Sequence, residues 1–416
     1  MKSVNFKLNA LSAIVAAGMM VAAGAASAQT VTSGGATLPQ PMYTDIFTNG
    51  PITGTWSYAG TGSGTGKTAF LTNNSALFST TGTVHIVGSD SALSSTELST
   101  YNAAYNNGAS STVANYGRLV QVPAVATPVL LPYKETGLTT LNLTTQEVCR
   151  IFSFDTATRT WNQVSTAADD GAVGSTTAIQ VVFRSDNSGT TELLSRFLNA
   201  ACGSFLPAGK SFTVSNNFKT MVATALPTLT AAQDSKNNIT GALVPDGIPD
   251  VWVAAAGSGG VTTAVAVNHR FGYLSPDSTY TGGSNSVVAR INTFLPTAAS
   301  IQAALPAPPA AGVARNNPLN WVPAYSVPAS AYPIYGTTNL LIGQCYAAGV
   351  GAGTPGGAVK GFLNSLNNGT YDSYITAHNF VKLPAAWNTA IKDAFLTAGS
   401  SLEIGNTSVC NGIGRP

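Results

Sequence analysis

Residues 184–194 read Arg-Ser-Asp-Asn-Ser-Gly-Thr-Thr-Glu-Leu-Leu, a set of groups suited to holding an oxyanion. Ile179, Val181, Val182 and Phe183 before them have the character of a buried strand. Leu193, Leu194, Phe197 and Leu198 after them recur at helical spacing. The polar run therefore sits at a strand-to-helix turn, with Asn187, Ser188, Gly189 and Thr190 opening the helix. A helix N-terminus offers unpaired N–H groups and a partial positive charge, which suit an anion. Arg184 adds a fork of donors, Ser188 and Thr190 add hydroxyls, and Asp186 is placed to hold the fork. The same residue types serve ordinary helix capping, so this segment alone leaves both readings open.

Three further turns could complete such a site. Gly35-Ala36-Thr37-Leu38-Pro39 leads into Met42, Tyr43, Ile46 and Phe47, apolar at helical spacing, with Pro39 near the first helical turn. Tyr58 to Thr68 is a glycine-dense loop before Ala69-Phe70-Leu71. It suggests a P-loop but fails on the frame, because the glycine required five residues before Gly66 is Thr61. Val84 to Asp90 reads as a strand ending in a turn that presents Asp90, with His85 a strand residue rather than a ligand. Each turn taken singly is also explained by capping. A carboxylate in an anion site makes sense only if the ligand has a proton to donate. Phosphate at neutral pH does and sulfate does not, so a fixed carboxylate selects by repelling fully ionised anions. Asp246-Gly247-Ile248-Pro249-Asp250 resembles a calcium loop but lacks the preceding aspartates, and is read as a turn.

The elements that must position these turns are those of an exported α/β protein. Lys2 and Lys7, the apolar run Ala10 to Ala23 and the small-residue site Ala26-Ser27-Ala28 form an export signal over residues 1–28. The mature chain is expected to begin at Gln29, without a lipid anchor because no Cys follows the cut. No later apolar run is long enough to span a bilayer. With the signal removed, 17 Lys and Arg face 17 Asp and Glu. That balance argues against nucleic acid or an anionic membrane as partner. About 388 residues suffice for two domains with their own cores. Short β-rich and helical runs alternate, which indicates an α/β class. Leu119 to Tyr133, interrupted by three prolines, reads as extended chain, and Ala303 to Pro318 as an exposed linker. Asn339 to Ile342 reads as a buried strand, and Leu363 to Leu366 and Ala385 to Phe395 as terminal helices. Cys149, Cys202, Cys345 and Cys410 favour two disulfides, with three pairings open. No C-x-x-C spacing and only three histidines speak for a metal site, so neither metal nor cofactor is expected.

Taken together, the turns resemble the phosphate-binding proteins of bacterial Pst-type importers, including the related DING-type proteins. The resemblance runs in order through Gly-Ala-Thr-Leu-Pro at 35–39, Tyr-Ala-Gly-Thr-Gly-Ser-Gly at 58–64 and Gly-Ser-Asp at 88–90. It continues through Gln121-Val122-Pro123, Ile151-Phe152, Trp161-Asn162, the Arg-to-Thr segment at 184–190, Phe271-Gly272-Tyr273 and Pro333 to Thr338. The resemblance implies a two-lobed periplasmic-binding-protein fold of type 2, a Venus flytrap with a hinge. One lobe would comprise residues 29–134 and 331–416, the other 135–330. It implies inorganic phosphate in the cleft, held by Thr37, the Leu38 backbone N–H, Ser63, Arg184, Ser188, Gly189 and Thr190. Asp90 would accept the phosphate proton and Asp186 would orient Arg184. The lobe division implies the sequential disulfides Cys149–Cys202 and Cys345–Cys410. It also implies a periplasmic or secreted monomer that serves an inner-membrane ABC permease. Leu38 stands where the family often has Phe, and Asn187 where Gly is common. Segments 154–176 and 225–330 match poorly. Two other functions compete: a secreted phosphatase, with Ser63 or Thr37 beside Asp90, and a surface or matrix protein that retains the fold. No activated nucleophile with a partnered base supports the phosphatase.

Overall fold

Short apolar runs punctuated by glycine-containing turns become the strands of two sheets. The computed structural model describes residues 29–109, 115–166, 170, 174–226, 252–281 and 288–416. The expected export signal at 1–28 and the Asp246–Asp250 turn lie outside the described residues. Strands β1 (Thr30–Gly35), β2 (Thr55–Gly60), β3 (Ile86–Ser89), β4 (Leu119–Pro128) and, near the C-terminus, β11 (Tyr335–Gly343) form the first sheet, ordered β2-β1-β3-β11-β4. β1, β2 and β3 are parallel, whereas β11 runs antiparallel to its neighbours. The second sheet, ordered β5-β9-β7-β8, contains β5 (Tyr133–Lys134), β7 (Gln180–Arg184), β8 (Trp252–Ala255) and β9 (Arg270–Gly272). β7 is parallel to both β8 and β9. A separate pair joins β6 (Asn142–Leu143) to β10 (Arg290–Ile291).

The proline-bearing stretch is a buried edge strand. Pro123 in β4 is accommodated by a register shift between Thr338 and Asn339 of β11, which pair with Val125 and Pro123 and pass over Ala124. An edge position plus a bulge is where a strand tolerates a missing N–H. β11 begins at Tyr335, four residues before the expected Asn339, because Gly336 and two threonines also pair.

The helices bearing on function are α1 (Gln40–Asn49), α2 (Ser63–Leu71), α3 (Ser95–Tyr105), α4 (Thr145–Ser153), α5 (Trp161–Val164), α6 (Gly189–Ala201), α7 (Phe218–Val222) and α8 (Gly257–Val265). Capping boxes start α3 (Ser94 with Glu97) and α4 (Thr144 with Glu147). Pro39 stands at the N-cap of α1, beside the first turn as expected, and Pro41 occupies that turn. α6 buries Leu193, Leu194, Phe197 and Leu198 completely. At about 1.5–3 kcal/mol per buried side chain, these four anchor the helix whose N-terminus faces the cleft.

Disulfides join Cys149 to Cys202 and Cys345 to Cys410, the sequential pairing. Their sequence separations, 53 and 65 residues, correspond to about 4 kcal/mol each on the chain-entropy account. The first ties α4 to the end of α6 beside the second sheet. The second ties the end of β11 to the C-terminal segment, where Arg415 donates to the Val84 carbonyl.

The chain passes between the sheets through Val129–Pro132 and again through Tyr332–Ile334. There the Val129 N–H donates to the Ile334 carbonyl at 2.8 Å, and the Tyr332 hydroxyl to the Val129 carbonyl at 2.8 Å. Two elements depart from the expected division at 134/135 and 330/331. β5 pairs with β9 in the second sheet. Pro318–Trp321 leans on the first sheet: Gln121 donates to the Pro318 carbonyl, and Trp321 packs against Trp387 and Phe395.

Near this crossing, His378 bridges two carboxylates, Asp277 at 2.9 Å and Asp45 at 3.1 Å. The Asp277 hydrogen bond, opposed by burial and aided by Asp45, raises the imidazole above its usual value. A raised folded-state pKa means stability fully present below the unfolded value of about 6.5 and lost as pH rises through the folded value. His378→Gln should therefore lower Tm relative to wild type at about pH 5.5, with the gap narrowing by about pH 8.5. A gap independent of pH in thermal unfolding would show that the imidazole charge contributes nothing.

Candidate functional site

Ligands of open α/β sheets bind at the C-terminal ends of parallel strands. Here five such ends meet. β1, β2, β3, β7 and β8 all finish at one cleft, and four of them feed helices: α1, α2, α6 and α8. Their N-termini converge in two pairs. Between α2 and α6, the Gly64 N–H donates to the Asn187 carbonyl at 3.1 Å. Between α1 and α8, the Thr37 hydroxyl lies 3.2 Å from the Ser258 hydroxyl and accepts from the Ser258 N–H at 3.3 Å. A cluster of convergent helix N-termini offers N–H donors and aligned dipoles without formal charge.

Each expected residue can be placed. Thr37 is buried against Ser258, and its carbonyl accepts from the Tyr280 hydroxyl at 3.0 Å. Leu38 is fully buried and its carbonyl accepts from the Ser275 hydroxyl at 2.8 Å. Ser63 opens α2; its hydroxyl accepts from the Asp90 N–H at 3.1 Å and points to Asp90 Oδ2 at 3.4 Å. Ser188 caps α6 through the Thr191 N–H. Thr190 Oγ1 and Asp90 Oδ1 are buried without a hydrogen-bond partner among the described residues. Gly189 fits against Asp90: a methyl group there would come within 2.5 Å of Ser63 Oγ and 2.7 Å of the Ser91 nitrogen, and would overlap the Asp90 β-carbon. Gly62, at φ 88°, leaves no room for a side chain, since a β-carbon would stand 2.7 Å from Asp186 Oδ2.

Arg184 is 3% exposed and its fork grips Asp186, with Nε donating at 2.7 Å and Nη2 to the second oxygen. The Gly257 N–H donates to the same carboxylate at 3.1 Å. Burial pushes the Asp186 carboxyl up, but the Arg184 guanidinium and the Gly257 N–H outweigh it and hold the group below its usual range. Asp90 has the opposite balance. Burial raises it to about 7, against the smaller pull of Thr338, Arg184 and Ser63. One cation therefore faces two carboxylates, and an anion here must be held largely by neutral donors. Lys67, whose place in the glycine-rich loop suggested a P-loop, is turned away: it donates to Glu97 and to the Ala92 carbonyl.

A PBP superfamily domain matches residues 20–365. A Pseudomonas aeruginosa protein called alkaline phosphatase L is 42% identical over 412 residues, covering 97% of this chain and 99% of the relative. A solved phosphate-binding protein from Stenotrophomonas maltophilia is 38% identical, with a TM-score of 0.76 over 93% of this chain and 100% of the other. The chain belongs to the PBP superfamily, among its Pst-type phosphate-binding proteins. A high-affinity periplasmic phosphate-binding protein (PfluDING), solved with phosphate bound, is 39% identical with a TM-score of 0.75 over 93% of this chain and 100% of its own. The two sheets and their crossings are thus the two-lobed type 2 binding-protein fold.

Several residues at the cleft escaped the sequence reading. Gly257 and Ser258 meet Asp186 and Thr37, and lie in a segment that matched the family poorly. Their signal was present: an apolar run at 252–255 followed by Gly-Ser-Gly-Gly repeats the strand, glycine turn and helix seen at 58–66. Tyr273 was noted only as part of a motif, and its hydroxyl accepts from the Arg184 N–H at 2.9 Å; Tyr280 carries no local mark of its role. Among the described residues no helix is long and apolar enough to cross a membrane.

Proposed function

We propose that the protein captures inorganic phosphate between its lobes, as a non-enzymatic receptor that delivers it to an inner-membrane ABC importer from the periplasm. The observation that carries this reading is the Asp90 carboxylate, buried beside Ser63 and set among convergent helix N-termini. A carboxylate there repels a fully ionised anion and accepts a hydrogen bond from a protonated one. Thr37, the Leu38 N–H, Ser63, Arg184, Ser188, Gly189 and Thr190 are the remaining ligands in this reading, with Asp186 orienting Arg184. The jaws are residues 29–134 with 331–416, and 135–330, apart from the two elements noted above that lean across. No metal or second subunit enters the scheme.

Calorimetry with phosphate and with sulfate tests the reading. The Asp90 carboxyl rises to about 7, so phosphate affinity should fall as pH drops below that value and the acceptor is protonated. Asp90→Asn should cost about 1.5–3 kcal/mol, roughly 10- to 150-fold in phosphate affinity, and admit sulfate. Unchanged phosphate affinity and continued exclusion of sulfate would refute the assignment of Asp90. A second reading is favoured by the relative called alkaline phosphatase L: Ser63, 3.4 Å from Asp90 Oδ2, as a nucleophile beside a base. Hydrolysis of a phosphate monoester by the calorimetry sample, lost in Ser63→Ala, would establish it.

A further inference from the structure

Three buried oxygens behind the Asp90 carboxylate have no fully formed hydrogen bond among the described residues: Asp90 Oδ1, Thr338 Oγ1 and the Tyr43 hydroxyl. All three side chains belong to residues at most 1% exposed. Unpaired buried polar atoms are costly, and several together call for an explanation. The strand register explains their meeting. β11 runs antiparallel to β3 with Asn339 opposite Ser89, which brings Thr338 to the level of Asp90. The pairing is fastened by Asn339 Nδ2, which donates to the Ser89 carbonyl at 3.1 Å. Tyr43 reaches the same place from α1: its ring lies over Gly88, where an added β-carbon would meet it at 3.1 Å. Thr338 is the neighbour common to both, acting on the Asp90 carboxyl and on the Tyr43 phenol.

We infer that Tyr43 and Thr338 form a hydrogen-bond chain that fixes Asp90 as an acceptor and thereby sets which anions the cleft admits. The direction of the chain follows from its end. An ionised carboxylate can only accept, so the Thr338 hydroxyl donates to Asp90 Oδ1. Its own lone pairs then face the Tyr43 hydroxyl, which donates to it. Oδ1 is thereby satisfied, and Oδ2, on the Ser63 side, is left for the ligand proton. The other groups facing Asp90 act at longer range: Arg184 favours the ionised form, while Glu192 and Tyr58 do not. Among the described residues, only the chain supplies a neutral donor to Oδ1. Tyr43 and Thr338 are thus positioning residues for selectivity and touch no ligand themselves.

The inference rests on the phosphate reading above, so the test needs a readout that does not use phosphate. In ligand-free protein, the Asp90 carboxyl carbon can be titrated by NMR in wild type, Thr338→Val, Thr338→Ser and Tyr43→Phe. Thr338→Val, nearly the same shape without the hydroxyl, should raise the Asp90 midpoint by about one pH unit, and Thr338→Ser should restore it. Calorimetry should then show phosphate binding in Thr338→Val weakened about tenfold near pH 6.5 and approaching wild type by about pH 9. Tyr43→Phe should move both readouts the same way by a smaller amount. An unmoved Asp90 midpoint in Thr338→Val, or a loss of affinity equal at every pH, overturns the chain. If the midpoint moves as expected but wild type binds no phosphate, the chain stands and the phosphate reading fails.

Discussion

Gly189→Ala is expected to fold normally yet bind phosphate at least about 100-fold more weakly, a loss of about 2.7 kcal/mol. The added methyl has nowhere to go. It would overlap the Asp90 β-carbon and approach Ser63 Oγ within 2.5 Å and the Ser91 nitrogen within 2.7 Å, atoms held by strand ends and a helix start. Overpacking of this kind costs about 1–3 kcal/mol in a rigid core. In a clamp, the strain can be relieved by holding the lobes apart, which sacrifices the ligand contacts instead of the fold. Circular dichroism and Tm should therefore stay near wild type while calorimetry registers the loss. Wild-type affinity would mean that Gly189 does not meet Asp90 in the liganded protein.

Arg184→Ala is expected to be nearly as severe, for a different reason. Its side chain is almost wholly buried and engages both oxygens of Asp186, whose side chain is 27% exposed. Removing one member of such a pair strands the other, at about 3–5 kcal/mol when both are buried. The partial exposure of Asp186 places the expected cost toward the lower figure. Two losses should separate experimentally. Stability should recover in the Arg184→Ala, Asp186→Ala double variant, because no carboxylate is then stranded. Phosphate affinity should not recover, because the only cation among the site residues is gone. Arg184→Lys should fall between, since an ammonium cannot serve both Asp186 and an anion with the geometry of a fork. Recovery of affinity in the double variant would show that Arg184 acts only through Asp186.

The strand, turn and helix at 180–201 were legible because two periodicities and a capping residue agreed across one short segment. Ser63 and Asp90 were legible for the same reason: each sits where an apolar strand gives way to a polar turn. Their contact was legible only through the family resemblance, because 27 residues separate them and the parallel pairing of β1 with β2 and β3 closes the gap. Thr338 illustrates the limit more sharply. It looked like one of two threonines leading into a strand. Its place beside Asp90 depends on an antiparallel register and a bulge, which pairwise strand geometry sets and local sequence does not record. Gly257 and Ser258 were missed for a simpler cause: a four-residue strand followed by glycines resembles a loop. Lobe boundaries are hard to read for a related cause: prolines and linkers mark where a chain turns, not which body it packs on.

The two disulfides each close within the surroundings of one sheet, and neither crosses the cleft. In mechanical terms each sheet and its surroundings form a block with its own covalent brace. Oxidation braces each block and leaves the main-chain crossings at Val129–Pro132 and Tyr332–Ile334 without a covalent cross-link. The four helix ends are thus braced in pairs, α1 and α2 beside one sheet and α6 and α8 beside the other, with no covalent cross-link between the pairs.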